Sequence, residues 1–497
     1  MFQLFNITLH KHPIIGYTSL NFNNENANPF NGVKTTVVIG PNGIGKSYLL
    51  KAIVDVLRMV DILVNRRENV KMPELGYRFG ITYILDGEQY SVTNIHQGME
   101  PVGRNVPRQY FFKRNGQNVH VEDIRLPQSV IASSMTIADK FPTPSMGIYE
   151  YRGVRSEKTP SMTGTRTLVR KAVIGIIDSL AHKHTTRDEL RLLLESLGFQ
   201  PRMHIKYKVR YKENFLTLGL TSNGLEELYV NWKEHFKGRS GEVWGTKFYK
   251  SIRNNPEKIE TVCRFLNRCA QLQGQFGSYS IIYDVLDWNN TLVEDAEAIK
   301  LLTNLDILSF PEIKVYKQNV NDGYEMIESS SGETQQLCQF ISIMSAIEPN
   351  SLVLIDEPEN SSHPNWQMSY IDWLQQIFHN YRDCHFVIAT HSHFLLTDMN
   401  PEWSKIVALQ KDKNGLIDIA NDVNTYCWST DDILYRVFHV RTTRNYVFES
   451  QMCKLYDFIT QRQMTNPEAR EILAELKSYV LNDDDPLKKL VILAENA

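Results

Sequence analysis

The chain has 497 residues, enough for one large core or two to three domains. Hydrophobic residues make up 42% and charged residues 22%, the balance of a water-soluble globular protein, and a formal net charge of -3 excludes a generally basic coat for nucleic acid. No apolar run reaches the length of a membrane span and no signal-peptide core opens the chain, so a cytoplasmic protein is expected.

Residues 1–39 alternate apolar and polar side chains ("FQLFNITLH", "GYTSLNF") and end in a β-branched strand over Lys34–Ile39. Gly40-Pro41-Asn42-Gly43-Ile44-Gly45-Lys46-Ser47 follows, a full match to G-x-x-x-x-G-K-[ST], and then an amphipathic helix over Ser47–Val60. Glycines at this spacing turn backbone N–H groups inward on a phosphate, and the helix N-terminus adds partial positive charge. Lys46 is placed to reach β- and γ-phosphates, and the Ser47 hydroxyl to ligate Mg²⁺. Gly40, Asn42, Gly43, Ile44, Gly45, Lys46 and Ser47 are therefore the expected nucleotide contacts.

Residues 77–131 read as β-rich, with a hairpin turned at Asp86-Gly87. From about 155 to 300 the pattern changes: helical segments such as "RDELRLLLESLGF" and "PEKIETVCRFLNRCAQL" flank a basic strand-like stretch, "RMHIKYKVRYK". That stretch reads either as a solvated strand face or as a contact for phosphates. No sustained heptads occur there, which excludes a long coiled-coil arm. The six cysteines stand singly, as free thiols do in a reducing compartment.

Three later stretches carry chemistry. "ESSSGETQQLCQFISIM" holds a Ser331-Gly332 turn and a helix expected from Glu333, an arrangement suited to an anion. "LVLIDEPE" is a buried strand ending in Asp356, placed to hold Mg²⁺, and Glu357, placed to activate the attacking water as a general base. "HFVIATHSHFLL" is another core strand followed by Thr390-His391, whose imidazole is placed to bond a γ-phosphate and sense its loss. His393 finds no companion ligand nearby that would make a metal site with His391.

In this order the four motifs resemble the ABC-type ATPase heads of the SMC–RecF–OLD group, over roughly residues 1–150 and 300–410. The resemblance implies an α/β P-loop NTPase head that binds ATP and Mg²⁺, with a compact, mostly helical insertion and a helical C-terminal tail. The implied divisions are 1–150, the N-terminal lobe with the phosphate loop; 151–300, the insertion; 301–425, the C-terminal lobe; and 426–497, a helical region offered as a partner or oligomer contact. Such heads pair head-to-tail, so Ser331, Gly332 and Glu333 would complete the nucleotide site of a second copy. Glu357 is implied as the base and His391 as the switch. The signature is S-S-G-E rather than L-S-G-G-Q, and "PENSSHPNWQ" resembles the PE-x-x-L-H-P of the RecF and OLD branches, with Ser362 in the leucine position. Gln128 in "LPQSVIASS" is the candidate phosphate-sensing glutamine.

OLD-type members add a C-terminal nuclease. Past residue 410 the acidic cluster Asp483-Asp484-Asp485 lies on no apolar strand, so no intrinsic nuclease is expected. A head with neither arms nor nuclease, carrying "SSMTIADKF" and "YEYRGVRS", is most similar to the PtuA-type ATPases of Septu and retron-associated anti-phage defence systems. That resemblance implies an ATP-hydrolysing switch subunit that dimerises around ATP and regulates a separate HNH-type nuclease subunit that cleaves DNA. Two other readings stand beside it: a RecF-like repair clamp on duplex DNA, and the ATPase subunit of a transporter, which the signature and the large insertion disfavour.

Overall fold

The computed structural model describes the chain except residues 24–31, 66–74, 96–109, 156–163, 183–185, 210–218, 236–249, 251, 273–279, 289–290, 305–306, 414, 419–424, 439–445, 462, 479–485 and 496–497. Asp483-Asp484-Asp485 therefore lies outside the described residues. Two compact units are present, Met1–Cys427 and Trp428–Ala497.

The first unit opens with β1 (Phe2–His12), β2 (Gly16–Asn21), β3 (Lys34–Ile39), α1 (Lys46–Val64), β4 (Arg78–Leu85), β5 (Glu88–Thr93), β6 (Phe111–Arg114) and β7 (Gln117–Asn118). After these come β8 (Val130–Ser134), β9 (Tyr149–Tyr151), α2 (Thr165–His182), α3 (Thr186–Ser196), β10 (Phe199–Lys208), α4 (Ser222–His235), α5 (Pro256–Gln271), β11 (Ser280–Asp284) and α6 (Leu292–Asn304). It closes with β12 (Glu312–Lys317), β13 (Tyr324–Glu325), α7 (Ser331–Ala346), β14 (Leu352–Asp356), α8 (Pro364–Ile377), β15 (His385–Thr390), β16 (Ser404–Lys411) and β17 (Gly415–Asp418).

Among the described residues, 13 strands form one sheet in the order β7-β6-β5-β4-β1-β2-β17-β16-β3-β15-β14-β8-β9. From β16 to β9 every neighbouring pair is parallel. The strands β3, β14 and β15 are buried at every position, as strands covered on both faces must be. The helix α1 is apolar nearly all round, and its Leu49, Leu50, Ile53, Val54, Val56, Leu57 and Val60 join the same core. The β4–β5 hairpin turns at Asp86-Gly87, both with positive φ (52° and 82°), the conformation an Asp-Gly pair adopts most readily.

Register decides where the loops emerge. Ile39 lies opposite Thr390, while Asp356 lies opposite Ala389 on one side and Ser134 on the other. The residues after β3, β15, β14 and β8 thus leave the sheet at one edge, the carboxyl end where open α/β sheets bind ligands. The same register corrects the expectation for Gln128: it precedes β8, its N–H donates to Asn350 O at 3.3 Å, and it sits at the opposite edge. It has no access to a phosphate at the glycine loop.

The inserted region combines α2 to α6 with a four-stranded antiparallel sheet, β11-β10-β12-β13, whose last two strands come from beyond residue 300. The basic stretch is β10: Met203, Ile205 and Tyr207 face inward, while Lys206 and Lys208 both pair with Glu312. The second unit holds α9 (Thr430–Arg436), α10 (Tyr446–Thr460), α11 (Pro467–Ser478) and α12 (Pro486–Glu495), around Met452, Leu455, Ile472, Leu476, Val491 and Ala494. Asn466 caps α11 through its bond from Glu468 N, with Pro467 in the first turn, as its sequence predicts.

A buried histidine ties the two wings of the sheet together. His385 Nδ1 accepts the Leu4 N–H at 3.1 Å, which leaves the proton on Nε2, 2.9 Å from the Thr36 hydroxyl. Burial, helped by Lys34, pulls its pKa from 6.5 down to about 3, so the fold requires the neutral ring. The group's stabilising contribution is complete above the unfolded value and is lost as pH falls through the window from about 6.5 toward 3. Chemical unfolding at stepped pH should show stability falling through that window by at most about 1.4 kcal/mol per pH unit from this group. His385→Gln should remove that component of the slope.

Candidate functional site

The sequence between β3 and α1 forms a loop of alternating backbone signs: Gly40, Gly43 and Gly45 all have positive φ. At Gly40 a Cβ would meet Leu409 O of the neighbouring strand at 2.9 Å, so only glycine lets the loop pass. Gly45, at φ 117°, is the N-cap of α1 and supplies no capping side chain, leaving the first-turn N–H groups of the helix available to an anion. Pro41, Asn42 and Gly43 are exposed, and Lys46 beneath them is buried.

Lys46 Nζ donates to Gly40 O at 2.7 Å and to Pro41 O at 3.3 Å, and it lies 2.9 Å from His391 Nδ1. Burial lowers its pKa to about 8, against the pull of Glu359, Glu357 and Asp356. An ammonium has no lone pair, so Nδ1 is the acceptor and Nε2 carries the imidazole proton. That nitrogen lies 3.3 Å from Glu357 Oε1, while the other Glu357 oxygen accepts Asn360 Nδ2 at 3.0 Å. The His391 bond, with Asn360 and Lys46 adding to it, holds Glu357 down at about 2 despite partial burial.

Asp356 and Glu357 are adjacent in sequence but occupy different environments. Asp356 is 3% exposed and accepts the Ser47 hydroxyl at 3.0 Å. Burial pushes its carboxyl up to about 7, and Glu357, Asp139 and Glu359 push the same way. Glu357 turns away with φ 51°, its N–H bonded to Ala389 O at 2.8 Å. A non-glycine residue there costs on the order of 1–2 kcal/mol, a strain the β14–β15 ladder sustains.

The signature segment packs on the loop that follows β14. The helix α7 begins at Ser331, two residues before the start expected from sequence. Ser330 is its N-cap, and Glu333 completes a capping box, with a 2.9 Å ion pair to Lys317. A Cβ on Gly332 would meet Ser361 O at 2.5 Å, and Gln336 Nε2 donates to Pro358 O at 2.8 Å and Ser362 Oγ at 2.7 Å. The turn is therefore fastened to the loop after β14. Among the described residues no hydrogen bond joins Ser331, Gly332 or Glu333 to Lys46 or Ser47.

The structure thus links Lys46, His391 and Glu357 in one bonded chain and Ser47 with Asp356 beside it, and among the described residues no hydrogen bond joins Ser331, Gly332 or Glu333 to either. Three members escaped the sequence reading. Glu359 and Asn360 follow the acidic pair after Pro358, and the second glutamate of "DEPE" was the available signal. Asp139 had none, because its place beside Asp356 comes only from the pairing of β8 with β14.

The donor set fits a nucleotide with a divalent cation. A hydroxyl and a carboxylate oxygen 3.0 Å apart are hard oxygen ligands, of the kind Mg²⁺ takes beside phosphate oxygens. Residues 280–397 match the family model described as "AAA domain, putative AbiEii toxin, Type IV TA system". The match takes in the signature helix, the acidic strand and His391; the glycine loop lies outside it. No curated protein is similar enough to match. Among solved structures the chain is similar to the SMC head domain from Thermotoga maritima, at 12% identity, covering 84% of this chain and 99% of that one, with a TM-score of 0.36. The Pyrococcus furiosus Smc head with an extended coiled coil, bound to the C-terminal domain of ScpA, is 13% identical, over 84% of this chain and 96% of that one, with a TM-score of 0.35. Residues 280–397 are thus similar to an AAA domain, and the architecture that holds them is a mixed α/β sheet with a phosphate-loop motif after β3.

One consequence is measurable on binding. Asp356 must ionise to accept a divalent cation, and burial holds its pKa at about 7. Titration calorimetry should find Mg²⁺-dependent nucleotide affinity rising with pH, approaching tenfold per unit well below that value and levelling above it. Asp356→Asn should be weak and flat across the range.

Proposed function

We propose that this chain is an ATP-hydrolysing switch subunit that pairs head-to-tail around ATP. The observation that carries the reading is the bonded chain Lys46–His391–Glu357 beside Ser47–Asp356, the groups phosphoryl transfer to water requires. The β- and γ-phosphates take the place of Gly40 O, Pro41 O and His391 Nδ1 as acceptors for Lys46. Ser47 and Asp356 would hold Mg²⁺, which when bound neutralises phosphate charge.

Glu357 accepts a proton from the water whose oxygen attacks the γ-phosphorus, and the bond to the bridging oxygen breaks to leave ADP. A carboxylate near pKa 2 is a poor base, and the His391 bond is what keeps it there. A γ-phosphate competes for the same imidazole, so nucleotide binding both recruits His391 and frees Glu357 to act. Ser331, Gly332 and Glu333, standing apart from their own chain's phosphate loop, supply the opposite wall of the site in a second copy.

We further assign the switch to defence, with an HNH-type nuclease subunit of the PtuA–PtuB kind as the regulated partner. The family description over residues 280–397 names a putative toxin of a TA system, which favours a toxic output over a repair clamp. Lys46→Ala should abolish ATP binding in a filter or fluorescence assay. Glu357→Gln should bind ATP, lose turnover by about 100-fold or more, and sediment as a longer-lived dimer. Normal turnover by Glu357→Gln refutes the base assignment. The tagged Glu357→Gln chain, purified with its neighbouring gene products, should retain a small nuclease; recovery alone or with DNA points to the repair-type clamp instead.

A further inference from the structure

The acidic strand is followed by a third carboxylate with no role in the chemistry so far described. Glu359 sits two residues beyond Glu357, and its Oε1 accepts the backbone N–H of His391 at 2.6 Å, 32 residues away in the chain. Its Oε2 is closed off from solvent and has no hydrogen-bond partner among the described residues. Glu359, with Glu357 and Asp356, is also one of the carboxylates whose charge acts on Lys46. Among the described residues no other acceptor bonds the His391 N–H. That bond decides where the backbone leaves β15, and hence whether the imidazole can reach Lys46 on one side and Glu357 on the other.

We propose that Glu359 is the positioning residue of the switch: it anchors the backbone at His391 so that one imidazole bridges Lys46 and Glu357. The geometry supports this over a direct chemical role. A bond of 2.6 Å from a main-chain donor to a carboxylate is short and strong, and it survives any rotation of the imidazole. His391 can then swing between Glu357 and a phosphate while its Cα stays in place. The Ser392 side chain, bonded to Gln367 Oε1 at 2.6 Å, fastens the next residue of the same turn. The turn is therefore pinned at two successive residues, independently of the bonds that hold the ring to Lys46 and Glu357.

The inference rests on the ATPase reading, so the test separates the two. Glu359→Gln keeps an oxygen that accepts the His391 N–H, whereas Glu359→Ala removes it. Steady-state ATPase should show kcat for Glu359→Ala falling by about 10–100-fold with KM changed little, the usual scale for a lost supporting bond. Glu359→Gln should stay within about threefold of the natural chain, since the bond and not the charge is required. Hydrogen–deuterium exchange on the peptide spanning residues 385–396 gives a readout independent of turnover: faster exchange in Glu359→Ala, and natural exchange in Glu359→Gln. Equal loss of activity in both variants overturns the positioning role and makes the charge itself the requirement. Unchanged exchange and activity in Glu359→Ala, with its unfolding midpoint preserved, also overturns it. Absence of ATPase in the natural chain defeats the broader reading instead, while the exchange comparison still decides whether Glu359 anchors the turn.

Discussion

The site is organised around an ammonium group taken out of water. Lys46 is 4% exposed, and burying such a charge costs several kcal/mol unless acceptors and counter-charges surround it. Its three donors are satisfied by Gly40 O, Pro41 O and His391 Nδ1, and three carboxylates stand close enough to support its charge. This requirement closes the glycine loop over the lysine, dictates the imidazole tautomer and, through Nε2–H, holds Glu357 ionised. A phosphate oxygen is an acceptor of the same kind, so a phosphate bound at the loop would compete for the donors that Lys46 gives to Gly40 O, Pro41 O and His391 Nδ1.

Three chain segments far apart in sequence supply that network, and the parallel sheet is what aligns them. The strands β3, β15, β14 and β8 are paired without a slip across the site. A one-residue shift in any of these ladders would exchange inward and outward faces and carry His391 or Asp356 out of reach. Full burial of three of these strands specifies the register, because each has apolar side chains on both faces to place. The contrast between Asp356, pushed up to about 7, and Glu357, held near 2, also follows from the sheet. The last in-register residue stays inside, whereas the next one turns out at positive φ.

The loop after β14 serves two surfaces at once. Within it Glu357, held by Asn360, meets His391, while Pro358, Ser361 and Ser362 receive α7 through Gln336 and the bare backbone of Gly332. The glycine of the signature is explained locally by this close approach, quite apart from any contact with a nucleotide. In the proposed head-to-tail pair, the same loop would link the chemistry at one site to the surface that closes the other.

The glycine loop, the helix after it, the acidic strand and the strand before His391 were all legible in the sequence, because each is a local pattern with a local cause. Glycine spacing dictates backbone sign, β-branched and apolar runs dictate buried strands, and Pro467 after Asn466 dictates a helix start. The start of α7 at Ser331 was missed by two residues because Ser329, Ser330 and Ser331 are all competent caps, and only the reciprocal bond from Ser330 N to Glu333 chooses among them. Gln128 was misassigned because a strand's direction across a sheet is not written in its own residues; pairing with β14 puts it at the wrong edge. The place of Asp139 beside Asp356, and the bond from the His391 N–H to Glu359, became visible only through tertiary structure for the same reason. Their roles depend on a backbone N–H, a carboxylate and a lysine brought close by strand order, and no periodicity in one segment encodes what another segment will place beside it.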